Sequence, residues 1–223
     1  YDGAKHTSST LEEAGLAWFA TNEAAEKTWI YEKGDIRIGF VAMERTYWYY
    51  RHRNLLKGQI ADLRTQGCDV IIFVMHGGVE YRPRHMRDQE QLAEEALKYG
   101  ADIVIGHHPH VLQGIEVKDG ATICYSIGNF VFGGNANLRA PYTAMFQFHL
   151  KFADDGQYLG HQLNIIPALP SGEKEFNNYQ PVLATGEDAA AVMKQIQYDT
   201  PFTLKPYVEG VGAMQDFVPA PAR

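Results

Sequence analysis

The sequence predicts an α/β fold in which a parallel sheet is layered with helices, and three observations predict it. Residues 69–75 and 102–105 are apolar runs of strand length, and the amphipathic segment 87–99 between them has helical spacing, which makes a β-α-β unit. Each run ends in histidine, the first in Met75-His76-Gly77-Gly78 and the second in Gly106-His107-His108-Pro109-His110. A right-handed crossover then sets both histidine groups along the carboxyl edge of one sheet, where such folds bind ligands.

The remaining elements follow from local chemistry. Residues 7–15 are predicted to be helical: Ser8 or Ser9 can cap, Glu12 and Glu13 suit the first turns, and Gly15 stops the helix. Residues 29–33 and 36–43 read as two strands about the Lys33-Gly34-Asp35 turn, the second becoming wholly apolar at its end as a strand entering a core does. The stretch 44–53 is aromatic, with Tyr47, Trp48, Tyr49 and Tyr50, and is expected to pack as a lid on the core or to line a cleft. Residues 54–66 form a helix with Leu55, Leu56, Ile60 and Leu63 on one face, closed by Gly67. In the crossover helix Leu92, Ala93, Ala96 and Leu97 face inward and Gly100 is the stop.

Beyond the histidines, residues 111–117 and 121–125 pair around Lys118-Asp119-Gly120, a hairpin signal. In Tyr125-Ser126-Ile127-Gly128-Asn129-Phe130 a Gly and an Asn interrupt an apolar run and can hold a tight turn, near a site or as structure alone. Residues 142–152 and 158–167 read as long strands joined by Ala153-Asp154-Asp155-Gly156, an antiparallel pair that extends or covers the sheet. Residues 188–197 make a short helix, and the tail from Pro201 reads as surface coil or extra local structure. With no internal repeat or low-complexity linker, a single domain over 1–223 is expected, with a core over 1–166 and a C-terminal extension over 167–223.

Composition bounds the function. The 223 residues are 45% hydrophobic and 21% charged, enough to bury a core. A net charge of -7 with no basic run argues against a nucleic-acid surface. Locally, Arg82, Arg84, His85 and Arg87 crowd the first histidine loop, with Arg51, His52 and Arg53 upstream, forming either a pocket for an anion or a solvated basic loop. No stretch reaches the roughly 18 apolar residues of a membrane span, and Tyr1 opens no signal-peptide pattern. Cys68 and Cys124 read as small buried hydrophobes.

Proline disfavours the helical region for the residue before it, so Pro109 is expected to push His108 into an extended conformation. Extended residues two apart point the same way, so His108 and His110 aim at one point while His107 faces away, towards the sheet or solvent. Imidazoles suit zinc, iron and other divalent transition metals, and His76 can add a third ligand. Glu80 reads as an acid/base, a ligand or neither. The alternative for the whole cluster is a polar loop that happens to be rich in histidine.

Three ordered motifs, VMHGGVEYRP, GADIVIGHHPHVLQGIE and YSIGNFVFGG, each behind an apolar strand, resemble the CapA family of poly-gamma-glutamate capsule synthesis, similar in fold to the calcineurin-like metallophosphoesterases. The resemblance covers about residues 1–166, its N-terminal part being a weaker match from Tyr1-Asp2-Gly3 through Leu11. It implies a metallophosphoesterase-like α/β/β/α sandwich that lacks its N-terminal segment in this chain. It also implies His76, His108 and His110 as metal ligands, and it sets Glu80 at the family's acidic position. The expected catalytic set is His76, Glu80 and His108, and the expected substrate contacts are Arg82, Arg84, Arg87 and Asn129. One or two divalent ions, with zinc, manganese or iron all suitable, would polarise a phosphoryl or carbonyl oxygen and supply the nucleophile.

Two departures accompany the resemblance. Gly77-Gly78 stands where many members carry Trp-Gly, which widens the cleft. The upstream Asp, Asp-x-His and Asn-His ligands have no counterpart, Asp2 and His6 being too close to the first residue. The chain is then a fragment, or the upstream part sits on another chain, or the site is half built. Implied partners are an anionic polymer such as poly-gamma-glutamate, or a phosphoester, and no nucleic acid. The implied location is extracytoplasmic, with membrane anchoring only through an upstream segment. The alternative reading is a noncatalytic scaffold or polymer-binding component of a capsule synthesis and export complex.

Overall fold

Strand residues of opposite parity divide between two cores, and that division sets the layers. The computed structural model describes residues 2–22, 25–44, 49–133, 136–173 and 175–221. In chain order, α1 (Asp2–Glu13) and the short pair β1 (Ala20–Asn22) and β2 (Ala25–Lys27) precede the hairpin β3 (Trp29–Lys33) and β4 (Ile36–Glu44). The chain continues through α2 (Tyr49–Thr65), β5 (Val70–His76), α3 (Arg87–Tyr99), β6 (Ile103–His107), β7 (Ile115–Lys118) and β8 (Ala121–Cys124). It ends with β9 (Thr143–Phe152), β10 (Tyr158–Leu169), β11 (Val182–Leu183), α4 (Gly186–Gln197) and β12 (Ala213–Pro219).

The central sheet has the order β3-β4-β5-β6-β8-β7, parallel through β4, β5, β6 and β8, with antiparallel strands at both edges. On one face, Ile71, Phe73 and Met75 of β5 meet Leu56, Ile60 and Leu63 of α2 and Leu92, Ala93 and Ala96 of α3. Leu56, Ile60 and Leu63 are fully buried, each contributing about 1.5–3 kcal/mol by the area it removes from water. On the other face, Val70, Ile72, Ile103 and Ile105 meet Phe148, Leu150, Phe152 and Tyr158 of the second sheet. That sheet is built around β10, which pairs antiparallel with β9, β11 and β12. Ala189, Val192 and Ile196 of α4 pack in one core with Leu163 and Ile165 of β10 and Ala213 of β12. The result is the layered α/β sandwich with a central sheet that was expected, and α4 packs in the core that Leu163 and Ile165 share with Leu112, Ile115 and Cys124.

Two polar arrangements fix the layers. Arg64 at the end of α2 donates to the carbonyls of Cys68 (2.7 Å), Asp69 (3.0 Å) and Gly100 (2.7 Å) and to Asp102 Oδ2 (2.7 Å). The same carboxylate oxygen accepts the Ile71 N–H at 2.7 Å, so one ion pair sets the start of β5 against the start of β6. Between the sheets, His161 of β10 has Tyr158 Oη 2.7 Å from Nδ1 and Thr122 Oγ1 2.7 Å from Nε2. Burial pushes this imidazole down to about 4, so it is neutral and can both donate and accept.

Several expectations need correction. The first helix starts at Asp2 rather than at residue 7, and α2 starts at Tyr49 rather than 54. The strand expected over 111–117 is only β7, and Leu112 keeps an isolated bridge to Ile127. The tail is not all coil: β12 pairs along β10 from Gly160↔Pro219 to Ile165↔Ala213. The pair β1 and β2 was not foreseen, its short strands carrying no alternation. Of the aromatic stretch, residues 45–48 lie outside the described residues, and Tyr49 and Tyr50 open α2. The hairpin at Asp119-Gly120 is as expected: φ values of 51° and 80° supply the two left-handed positions of a two-residue turn. Cys68 and Cys124 are buried and free. Among the described residues no helix is long and apolar enough to cross a membrane.

Candidate functional site

The parallel register of β5 and β6 sets His76 across from His107 and Met75 across from Gly106. Gly106 has to be glycine, because an added Cβ would overlap the Tyr125 carbonyl just past the end of β8. Past the strand ends the backbone stitches the two histidine loops together: the Gly77 N–H donates to His107 O at 3.0 Å, and the Tyr81 N–H donates to Pro109 O at 2.7 Å.

His108 is not extended. It has φ 98°, with His110 at 59° and Tyr81 at 58°, a concentration of left-handed non-glycine residues in two adjoining loops. The chain must turn sharply off β6 while its carbonyls meet the neighbouring loop, and that tertiary demand overrides the local preference set by Pro109. Histidine is among the residues enriched in this region, and such strain is held where surrounding contacts over-determine the backbone.

The rings converge nonetheless. Those of His76 and His108 lie 4.9 Å apart at 77°, and those of His108 and His110 lie 6.1 Å apart. The ligand atoms of Glu80, His108 and His110 all fall within 4.8 Å of one another, Glu80 exposed and both histidines half-buried. Glu80 therefore joins the cluster, and His76 stands edge-on beside it. Burial, then the neighbouring His108, pull the His76 imidazole below its ordinary range, although part of its surface stays open. His107 points away and lines a cleft of about 600 Å³ between the sheets with Ile72, Val74, Ile105, Phe130 and Phe146. Burial, then His76, lower its pKa as well.

His110 is the most closely held of the cluster. Its Nδ1 lies 2.8 Å from Asn129 Oδ1, and its ring packs on Phe132 (4.9 Å) and Tyr81 (5.8 Å, 29°). With Nδ1–H donating to the carboxamide, Nε2 keeps a lone pair free for a ligand. Asn129, expected as a substrate contact, touches the His110 imidazole.

Arg82, Arg84 and Arg87 are all exposed. The Arg84 guanidinium sits 4.6 Å over the Tyr198 ring, the Arg82 carbonyl accepts from Gln113 Nε2 at 2.9 Å, and Arg87 begins α3. Between them His85 stacks on Tyr125 at 3.7 Å and 3°. Its Nδ1 lies 2.8 Å from Asp199 Oδ2 and its Nε2 3.0 Å from Glu90 Oε1. Asp199 Oδ2 also accepts the N–H groups of His85 (2.9 Å) and Gly114 (3.0 Å). Burial opposes a charge on His85, but the hydrogen bonds and charges of Asp199 and Glu90 outweigh it and hold its pKa above the ordinary range. For Asp199 burial likewise works against the charge, and His85 with the two N–H groups lowers the pKa.

Sequence reasoning missed this latch because its partners are 114 positions apart. It also missed Tyr81, Phe132 and Arg139, whose guanidinium lies 3.9 Å over the Tyr81 ring. Tyr81 follows Glu80 directly, a usable signal, whereas no pattern marks Arg139.

Comparison with known proteins places these loops in a family. The model for the bacterial capsule synthesis protein PGA_cap matches residues 1–134, more than half of the chain. The PGA biosynthesis protein CapA of Bacillus subtilis (strain 168) is 40% identical over 108 residues, 48% of this chain and 28% of that protein. The capsule biosynthesis protein CapA of Bacillus anthracis is 38% identical over 106 residues, 48% of this chain and 24% of that protein. The matched part thus spans about a quarter of these relatives. Among solved structures, a hypothetical protein from Thermus thermophilus overlaps with TM-score 0.44 at 12% identity, covering 67% of this chain and 65% of that one. A putative 5'-nucleotidase from Staphylococcus aureus overlaps with TM-score 0.42 at 14% identity, covering 85% of this chain and 37% of that one. At these scores neither overlap carries functional weight. The family match includes both histidine loops and the Asn129 turn, and on it the chain belongs to the bacterial capsule synthesis PGA_cap family.

Proposed function

We propose that this protein is a metal-dependent hydrolase acting on an anionic polymer or phosphoester in capsule biosynthesis at the cell surface. The observation that carries the reading is the approach of Glu80, His108 and His110 to within 4.8 Å of one another, with His76 beside them. Two imidazoles and one carboxylate are a donor set that suits zinc, manganese or iron(II), and the spacing needs only side-chain adjustment to close around an ion. Glu80, His108 and His110 would hold the metal, and His76 stands where it can complete the ligand set or pass a proton to a leaving group. Asn129 fixes the His110 tautomer. When bound, the ion supplies Lewis-acid polarisation and a nucleophilic water at neutral pH. Arg82, Arg84 and Arg87 supply positive charge along the approach, steering an anionic substrate more than gripping it.

The test is metal content and turnover on one sample. The chain is expected to take up zinc, manganese or iron and to hydrolyse bis(p-nitrophenyl) phosphate or poly-gamma-glutamate, with both properties lost in His108→Ala at unchanged fold. A well-folded chain that takes up no metal would overturn the reading. Polymer binding untouched by chelator, with no turnover, would assign a noncatalytic, polymer-holding role.

A further inference from the structure

Three side chains from one stretch of the chain, Asn129, Phe132 and Arg139, reach the same cluster. Asn129 holds His110 Nδ1, Phe132 packs on the His110 ring, and Arg139 lies over Tyr81, which itself stacks on His110. Arg139 therefore stands two ring-spacings out from the imidazoles, on a stack whose inner member is a candidate ligand. It is exposed and has no carboxylate partner among the described residues. What sets it apart from the other exposed cations is its seat on the ring that stacks on His110. A guanidinium over an aromatic face keeps its N–H donors directed outward, and the ring restricts its motion, so it is a preformed fork for a carboxylate or phosphate.

We infer that Arg139 is a specificity residue that binds a second acidic group of the substrate, separate from the group at the imidazole cluster. The matching ligand carries acids on successive units, as an acidic polymer does, and a simple mono-acid reaches only one of the two places. The inference rests on the proposed function only in setting the first group at the imidazoles. Lysine at 139 would keep the charge but lose the planar fork.

The test uses the full chain loaded with manganese and two probes, inorganic phosphate and a short γ-linked oligoglutamate, titrated calorimetrically. Arg139→Ala is expected to weaken oligoglutamate binding roughly ten-fold or more, as loss of a charge-assisted contact does. Phosphate and manganese affinities should be unchanged, and Arg139→Lys should recover part of the oligomer affinity. Equal oligomer binding by wild type and Arg139→Ala overturns the inference. So does an equal loss for both probes, which would show that Arg139 acts through Tyr81 on the imidazoles. If hydrolysis is absent but the Arg139-dependent preference for the oligomer remains, the catalytic reading fails and this one stands. If turnover persists and Arg139→Ala leaves the oligomer KM unchanged, the reverse holds.

Discussion

An imidazole that is to bind a metal must be fixed in tautomer as well as in place, and Asn129 does this for His110 through one 2.8 Å contact. Asn129→Ala should therefore lower metal affinity about ten- to hundred-fold, read by chelator competition, with little change in melting temperature. His85 makes the complementary case, a charge kept by its neighbours. Its folded pKa lies above the ordinary 6.5, so its stabilisation is complete below 6.5 and is lost as pH rises through the raised value. Asp199 has a folded pKa below 3.8, so its share is complete above 3.8 and is lost as pH falls through the lowered value. His85→Gln should thus cost most between pH 3.8 and 6.5, about 1–3 kcal/mol, and less on either side. Paired thermal melts across pH would show it, and a cost that is flat with pH would contradict the assignment.

At the scale of elements, β6 and β8 approach so closely at Gly106 that a methyl group has no room. Gly106→Ala should cost about 3 kcal/mol or more, seen as a lower urea midpoint, because the obstruction is backbone and cannot rotate aside. This element was plain in the sequence, as was α3, whose bounds agree with expectation to the residue. Gly100 at φ 112° ends that helix, and Gln89 Oε1 accepts the Met86 N–H at its start. Signals held within a few neighbouring residues could be read. By contrast β12, Ala-Met-Gln-Asp-Phe-Val-Pro, is a strand because β10 lies beside it, and no local pattern announces that. The same division holds at the site. The histidines could be placed from strand ends alone, whereas the Arg139–Tyr81 stack and the His85–Asp199 latch join segments that only the completed fold brings together. The conformation of His108 was misjudged for a related reason, since the demand on its backbone comes from the neighbouring loop.

For the whole molecule, the C-terminal residues are part of the second sheet. A chain ended before Ala213 would expose the β10 edge from Gly160 to Ile165 and uncover Ile165 and Leu163. Such a chain should lose cooperative melting and aggregate, as size-exclusion chromatography would show, because an open apolar edge is a template for pairing. The neutral His161 adds a further consequence. Its folded pKa of about 4 lies below the 6.5 it has when free, so the unfolded chain takes up the proton first, and stability falls as pH drops from 6.5 towards 4. Over that interval the contacts of His85 remain whole. Acid therefore weakens the fold as a whole through His161, while the folded molecule keeps the Tyr158 and Thr122 contacts and the clasp at its margin. A mildly acidified sample would thus hold fewer folded molecules, each shut as firmly as at neutral pH.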